Sequence, residues 1–207
     1  MFNTTEKKER SLGIKLFLKP HRCLSAKCVT VRRPTRPGVH GKAYRRALSE
    51  YGEQLKEKQK IQFSYGLRET YMKKIFREAL RNPSATGAMI MNFLERRLDN
   101  VVYRLGLAPA RSVGRQLVSH GHILVNSRRV DIPSYQVKAG DTIAIRLQSK
   151  NHPAFKDLSA ALSKYEPPSW LALDKEKLEG KVISLPKDFD ETFDLSKVVD
   201  YYSKAVK

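Results

Sequence analysis

The chain has 207 residues, with 40 Lys plus Arg against 21 Asp plus Glu, five His, two Cys and a formal charge of +19. At 41% hydrophobic and 9% aromatic it carries enough apolar material for one or two domains with cores of their own, which excludes wholesale disorder. No run approaches the roughly 18 to 20 apolar residues of a membrane span, the first ten residues lack the apolar stretch of a signal peptide, and two cysteines are too few for a disulfide framework.

The expected compartment is therefore the cytosol, or its equivalent in an organelle, and the charge calls for an anionic partner. No basic stretch sets Trp, Phe and Leu opposite Lys and Arg as a membrane-surface helix would, so nucleic acid is favoured over membrane. Residues 1–48 carry 13 Lys or Arg against two acids, whereas residues 151–207 carry nine against ten and contain no arginine. The planar guanidinium fork is the better phosphate ligand, so contacts are expected before residue 150.

Residues 1–46 read as a basic arm. One apolar patch, Ile14 to Leu18, is followed by Pro20, Pro34, Pro37, Gly38 and Gly41, which break any periodicity, and by Arg32, Arg33, Arg36, Lys42, Arg45 and Arg46. Such a segment is expected to take its path from its partner, with the solvated tail as the rival reading. Cys23 and Cys28 form a C-x4-C pair, half of a zinc site; His21 and His40 could complete it, and two reduced cysteines are the alternative.

From Leu48 the period becomes helical. Leu67, Tyr71, Ile75, Phe76, Ala79 and Leu80 are spaced by three and four, and Asn82, Pro83 and Ser84 close that helix. A third apolar run, Ala88 to Leu94, continues through Leu98, Val101, Val102 and Leu105 to a stop at Gly106. These stripes read as the core of a helical bundle. Pro109 and Gly121 then bracket an amphipathic helix with Arg111, Ser112, Arg115, Gln116 and Ser119 on one side and Ala110, Val113, Gly114, Leu117 and Val118 on the other. After it the period changes to that of strands: His122 to Val125 and Arg128 to Ile132 flank Asn126-Ser127 as a tight hairpin, and a third strand, Thr142 to Leu147, follows the turn at Ala139-Gly140-Asp141.

Residues 98–146, LDNVVYRLGLAPARSVGRQLVSHGHILVNSRRVDIPSYQVKAGDTIAIR, resemble the small RNA-binding module named after the fourth protein of the small ribosomal subunit. RRPTRPGVHG (32–41), LSEYGEQLKEKQK (48–60), LERRLDNVVYRLG (94–106) and PSWLALDKEKLEGKV (168–182) are similar, in order, to stretches of the bacterial form of that protein, so the resemblance covers essentially the whole chain. It implies an α+β chain: a basic arm (1–46), a discontinuous helical domain (47–92, completed by 175–207, with Val182 to Leu185 and Phe193 to Tyr202 returning onto the helices), and an inserted small α/β RNA-binding module with its following segment (93–174).

The resemblance further implies a non-enzymatic constituent of the small subunit. Such a protein binds the 5′ domain of small-subunit rRNA at a multi-helix junction, helps to nucleate assembly, and approaches the channel by which mRNA enters, beside the third and fifth small-subunit proteins, with an influence on translational accuracy. By position, Arg32, Arg33, Arg36, His40, Arg104, Arg111, Arg115, Gln116, Ser119, His120, His122, Asn126, Arg128, Arg129 and Ser134 become candidate rRNA contacts, and Lys42, Arg45 and Arg46 candidate mRNA-side residues. The acidic stretch Asp188 to Asp194 is either a contact for the fifth protein or a solvated loop.

Three departures from the family pattern stand out. Many bacterial members bind zinc through four cysteines; here the first pair falls on Glu6 and Glu9, and hard carboxylates are poor substitutes for thiolates, so no cofactor and no structural zinc are expected. Asn126-Ser127 replaces Asn-Gly, and Gly114 stands where Ala is usual, each at an expected small cost in stability. The rival functions are a standalone RNA chaperone and a pseudouridine synthase bearing the same module. Arg97-Leu98-Asp99 resembles the synthase's short catalytic motif, against which Asp99 reads as a helix-surface partner for nearby arginines.

Overall fold

A computed structural model describes residues 5–44, 47–81, 85–149, 165–186 and 193–205, together with residues 152, 155, 158, 162 and 163. The chain divides into two units, residues 1–90 with 190–207 and residues 91–189. Mixed helices and one antiparallel sheet make it α+β, as the sequence implies.

In the first unit the N-terminal stretch has a shape of its own, with helices α1 (Thr5–Leu12), α2 (Pro20–Cys23) and α3 (Val29–Arg32) and a 3-10 turn at Val39–Lys42. What holds it is polar, which is why apolar periodicity does not reveal it. Arg10 donates to the carbonyls of Arg33 (3.1 Å), Thr35 (3.0 Å) and Arg36 (3.2 Å), tying α1 to the segment after α3. The Lys8 ammonium of α1 lies 4.7 Å over the ring of Phe63.

Helix α4 (Glu50–Ser64) begins where the Ser49 hydroxyl accepts the Gly52 N–H, a standard use of serine at a helix start. Helix α5 (Glu69–Ala79) buries Met72, Ile75, Phe76 and Ala79; its closing residues Asn82, Pro83 and Ser84 lie outside the described residues. The last helix, α9 (Leu195–Ala205; α6 to α8 follow below), packs against α4 and α5. Its Tyr202 is fully buried 5.0 Å from the Phe76 ring and donates its hydroxyl to Glu69 Oε1 at 3.2 Å, and burial together with that carboxylate pushes the phenol's pKa up.

The apolar run from Ala88 to Leu105 is two helices, not one: α6 (Thr86–Glu95) and α7 (Leu98–Arg104). They part at Arg97, which takes extended backbone angles and bridges to Gln136. In the second unit α7 and α8 (Arg111–Ser119) lie against a five-stranded antiparallel sheet of order β2-β1-β3-β5-β4, made of β1 (Ile123–Val125), β2 (Arg128–Arg129), β3 (Thr142–Ile145), β4 (Leu171–Asp174) and β5 (Glu179–Val182). Leu98, Val101, Val102 and Leu105 of α7, Leu117 and Val118 of α8, and Ile123, Val125, Ile143, Ile145, Trp170, Leu171 and Val182 around the sheet share one core. Residues 175–186, joined to the helical domain by resemblance, instead supply β5 to this sheet, because Gly180 lets Leu105 pack where a side chain would stand. Phe193 and α9 do lie in the first unit.

At the hairpin tip Asn126 (φ 49°) and Ser127 (φ 65°) both take left-handed angles, the geometry of a two-residue turn that matches strand twist. Gly114 is a constraint, not a defect: a Cβ there would sit 2.7 Å from the Asp99 carbonyl oxygen of α7. Ala gains about 1 kcal/mol of helix propensity, but overpacking of this kind costs about 1–3 kcal/mol. Gly114→Ala is therefore expected to lower the urea midpoint of unfolding; a raised midpoint would show that α7 and α8 can separate without loss.

Candidate nucleic-acid interface

Helix α8 exposes Ser112, Arg115, Gln116, Ser119 and His120 while Ala110, Gly114, Leu117 and Val118 are buried, so the polar face read from the sequence is the solvent face. The hairpin brings two more cations to it. Arg128 and Arg129 are exposed on β2, and a Cβ at Gly121 would overlap the Arg129 guanidinium, which places that side chain across the end of α8.

Below this face runs a polar network that sequence reasoning did not find. The buried Glu95 carboxylate accepts Arg104 Nε (3.0 Å) and Nη2 (2.9 Å) and Asn100 Nδ2 (2.8 Å); Asn100 Oδ1 in turn accepts Arg111 Nε (2.7 Å), whose guanidinium lies 4.7 Å over the Tyr103 ring. Arg111 is thus held in one orientation, which lowers the entropy lost when it meets a phosphate. Arg104 is turned inward onto Glu95, its side chain only 19% exposed, so it is a support for the face rather than part of it. Glu95 and Asn100 carry no motif, and only their spacing from Arg104 and Arg111 could have pointed to them.

Asn126 is likewise occupied. Its amide donates to Asp141 Oδ1 (2.8 Å) and its carbonyl accepts the Thr142 N–H (2.9 Å), clamping the hairpin tip to the start of β3. His122 is half-buried with Nδ1 2.9 Å from Ser149 Oγ, and its ring lies 4.9 Å from that of His152 and 6.0 Å from that of His120. Burial first, then His152, His120, Arg146 and Arg129, lower its pKa from the ordinary 6.5, which favours the neutral ring. Ser134 is half-buried in the stretch that runs beside the α6–α7 junction, where Tyr135 and Pro133 accept the N–H groups of Leu98 and Asp99.

Asp99 is not on the helix surface. Arg97 Nε and Nη2 meet its two carboxylate oxygens at 3.0 and 2.6 Å, Asn100 N–H donates to Oδ1 at 2.9 Å, and the side chains are 2% and 6% exposed. A carboxylate held in this way is closed to a substrate.

In the N-terminal stretch Arg32, Arg33, His40 and Lys42 are exposed and Arg36 is half-buried; Arg45 and Arg46 lie outside the described residues, as do residues 188–192 of the acidic stretch. The side chains at the positions where the family resemblance places zinc ligands are engaged within the chain. Glu6 pairs with Arg22 at 2.6 Å; the buried Glu9 Oε1 accepts the N–H groups of Leu16 (3.0 Å) and Leu18 (3.3 Å) and the Cys23 thiol (3.9 Å); Cys28 Sγ sits 3.0 Å from the Thr30 hydroxyl. Burial pushes the Cys23 thiol up, away from the thiolate a metal needs. His21 and His40 are exposed, and among the described residues no three His, Cys, Asp or Glu side chains are placed to share an ion.

Among the described residues no helix is long and apolar enough to cross a membrane. The family model for the ribosomal protein S4/S9 N-terminal domain matches residues 2–95, and that for the S4 domain matches residues 96–143. The chain is 48% identical over 197 residues to small ribosomal subunit protein uS4A of Alkaliphilus metalliredigens, and 46% identical over 197 residues to protein uS4 of both Pelotomaculum thermopropionicum and Halothermothrix orenii, with 94% of each chain covered in all three comparisons. The S4 module that carries the α8 face and the N-terminal domain that precedes it therefore occur together, over nearly the full length, and the chain belongs to the small ribosomal subunit protein uS4 family.

Proposed function

We propose that this chain binds small-subunit rRNA as a primary assembly protein in the cytoplasmic ribosome, or in its organelle equivalent, at a multi-helix junction of the 5′ domain. Its basic N-terminal stretch, with Lys42, Arg45 and Arg46, borders the channel by which mRNA enters, beside the third and fifth small-subunit proteins, and contributes there to translational accuracy. The observation that carries the reading is the α8–β2 face: exposed Arg115, Arg128 and Arg129 beside an Arg111 oriented by Asn100 and Tyr103. A-form RNA hides its major groove, so recognition rests on phosphates and on the shape of a folded junction more than on base edges. The protein is not an enzyme, and the occupied Asp99 carboxylate supports that against the synthase reading.

The test is competitive binding of the full chain to the folded 5′-domain junction and to an unrelated structured RNA of equal length, across a salt series. Preference for the junction that outlasts binding to the competitor is expected. Equal and steeply salt-sensitive binding to both would mean that charge alone acts, and would put the RNA chaperone first.

The N-terminal stretch holds its shape without zinc, through Glu9 in place of the metal. The purified chain is expected to contain no stoichiometric zinc and to melt at the same temperature with and without a chelator. Glu9→Ala, which leaves two backbone N–H groups without their acceptor, is expected to destabilise the stretch by about 1–3 kcal/mol, read as faster proteolysis there. One zinc per chain, lost together with structure on chelation, would overturn this.

A further inference from the structure

Where α8 ends and β1 begins, three imidazoles gather beside the arginines of the face. His120 closes the C-terminus of α8 and is exposed, His122 precedes β1 and is half-buried, and His152 is exposed beyond the 3-10 turn at Leu147–Ser149. The His122 ring stands 6.0 Å from that of His120 and 4.9 Å from that of His152. The buried Phe155 meets His122 and His152 edge-on, at 6.3 and 6.2 Å, and gives that pair an apolar floor.

Four elements bring charged groups to His122: His120 from α8, Arg129 from β2, Arg146 from just past β3, and His152 from the loop beyond the 3-10 turn. All four are bases. The Arg129 guanidinium lies across the end of α8 at Gly121, and the Arg146 N–H donates to the His122 carbonyl at 2.9 Å. Burial first, and then these bases, favour the neutral ring. Its Nδ1 lies 2.9 Å from the hydroxyl of the buried Ser149. A carbonyl in that place would accept only from N–H and hold the nitrogen protonated, whereas a hydroxyl turns to donate to a bare nitrogen or to accept from N–H. The contact therefore survives either charge state of the ring.

We propose that this cluster takes up a proton when the α8–β2 face meets an RNA phosphate, so that binding is coupled to pH. The proposal rests on the rRNA-binding reading above and adds proton linkage to it. A phosphate brought onto Arg129 sets a negative charge beside four bases and favours imidazolium over imidazole. Below the pKa of the free ring the proton is already present, and above that of the RNA-bound ring it never arrives. Between the two, affinity falls as pH rises. The arginines of the face stay charged throughout and add no such slope.

The test measures affinity of the full chain at fixed salt, from about pH 5.5 to 8, for the folded 5′-domain junction and for an unrelated structured RNA of equal length. Calorimetry in two buffers of different ionisation enthalpy counts the protons taken up. The natural chain is expected to bind about three- to tenfold more tightly per pH unit lost within the window, with uptake of roughly half to one proton. His122→Gln, which keeps a polar end for Ser149 and takes no proton, is expected to lose most of that slope, and His120→Gln, His122→Gln, His152→Gln together nearly all of it. His21→Gln with His40→Gln, in the N-terminal stretch, is expected to keep it. Should the triple variant fail to fold, His120→Gln, at an exposed position, is still expected to lower the uptake. A natural chain that prefers the junction but binds without proton uptake would overturn the proposal and leave the ribosomal reading standing, as would a folded triple variant that keeps the slope. Should the natural chain show no preference for the junction while the histidine variants still lose the slope on both RNAs, the ribosomal reading fails and the proton linkage stands.

Discussion

Asp99→Ala is expected to destabilise the chain by about 3–5 kcal/mol, a large share of the 5–15 kcal/mol that a folded chain of this kind commonly holds. The substitution removes the counter-charge of Arg97, whose side chain is 2% exposed, and takes one of two acceptors from the Asn100 N–H, which keeps the Arg97 carbonyl at 3.0 Å. A buried guanidinium left without its carboxylate loses both Coulomb attraction and two hydrogen bonds, while the desolvation already incurred is not returned. Asp99→Asn keeps the shape and one acceptor, so a smaller loss is expected. Arg97→Met with Asp99→Leu removes both charges and is expected to recover most of the stability, because well-packed apolar groups replace a buried pair at little cost. The measurement is urea unfolding of the four chains. A midpoint for Asp99→Ala equal to that of the natural chain would show that water reaches this pair.

The same pair shows what the sequence could and could not say. Arg97-Leu98-Asp99 has the composition of a catalytic motif and of a surface ion pair; burial alone separates both from the structural clamp that is there, and burial depends on Tyr135 and Pro133, some 35 positions later, folding over the junction. Helix α8 was legible because its ends are marked by Pro109 and Gly121 and its faces by a clean period. The hairpin was legible because Asn126 tolerates positive φ. The β4–β5 hairpin was not: its turn places Leu178, not Gly or Asn, at φ 58°, and Gly180 inside β5 reads as a break until Leu105 is seen to fill its place. In the N-terminal stretch, two acids among many bases gave no sign that Glu9 would be buried.

The candidate site was legible in residue type and not in direction. Arginines marked by the motif divide into those that face solvent and those that support the face, and the two groups are expected to fail differently. Replacing Arg115, Arg128 and Arg129 together by Ala removes exposed side chains, so stability should change by no more than about 0.5 kcal/mol at each position. Affinity for the rRNA junction should fall by about 10² to 10³ at roughly 0.1 M salt, and the salt slope by about three, since each phosphate contact releases about 0.9 of a counterion on a duplex. Arg104→Ala should do the reverse. It leaves the Glu95 carboxylate buried beside Asn100, loosens the bond that orients Arg111, and is expected to lower the unfolding midpoint while the salt slope falls by less than one. Equal salt slopes for the triple variant and the natural chain would remove the α8–β2 face from the interface. A slope loss of one or more in Arg104→Ala, at unchanged stability, would instead place Arg104 on the RNA and dissolve the distinction between contact and support.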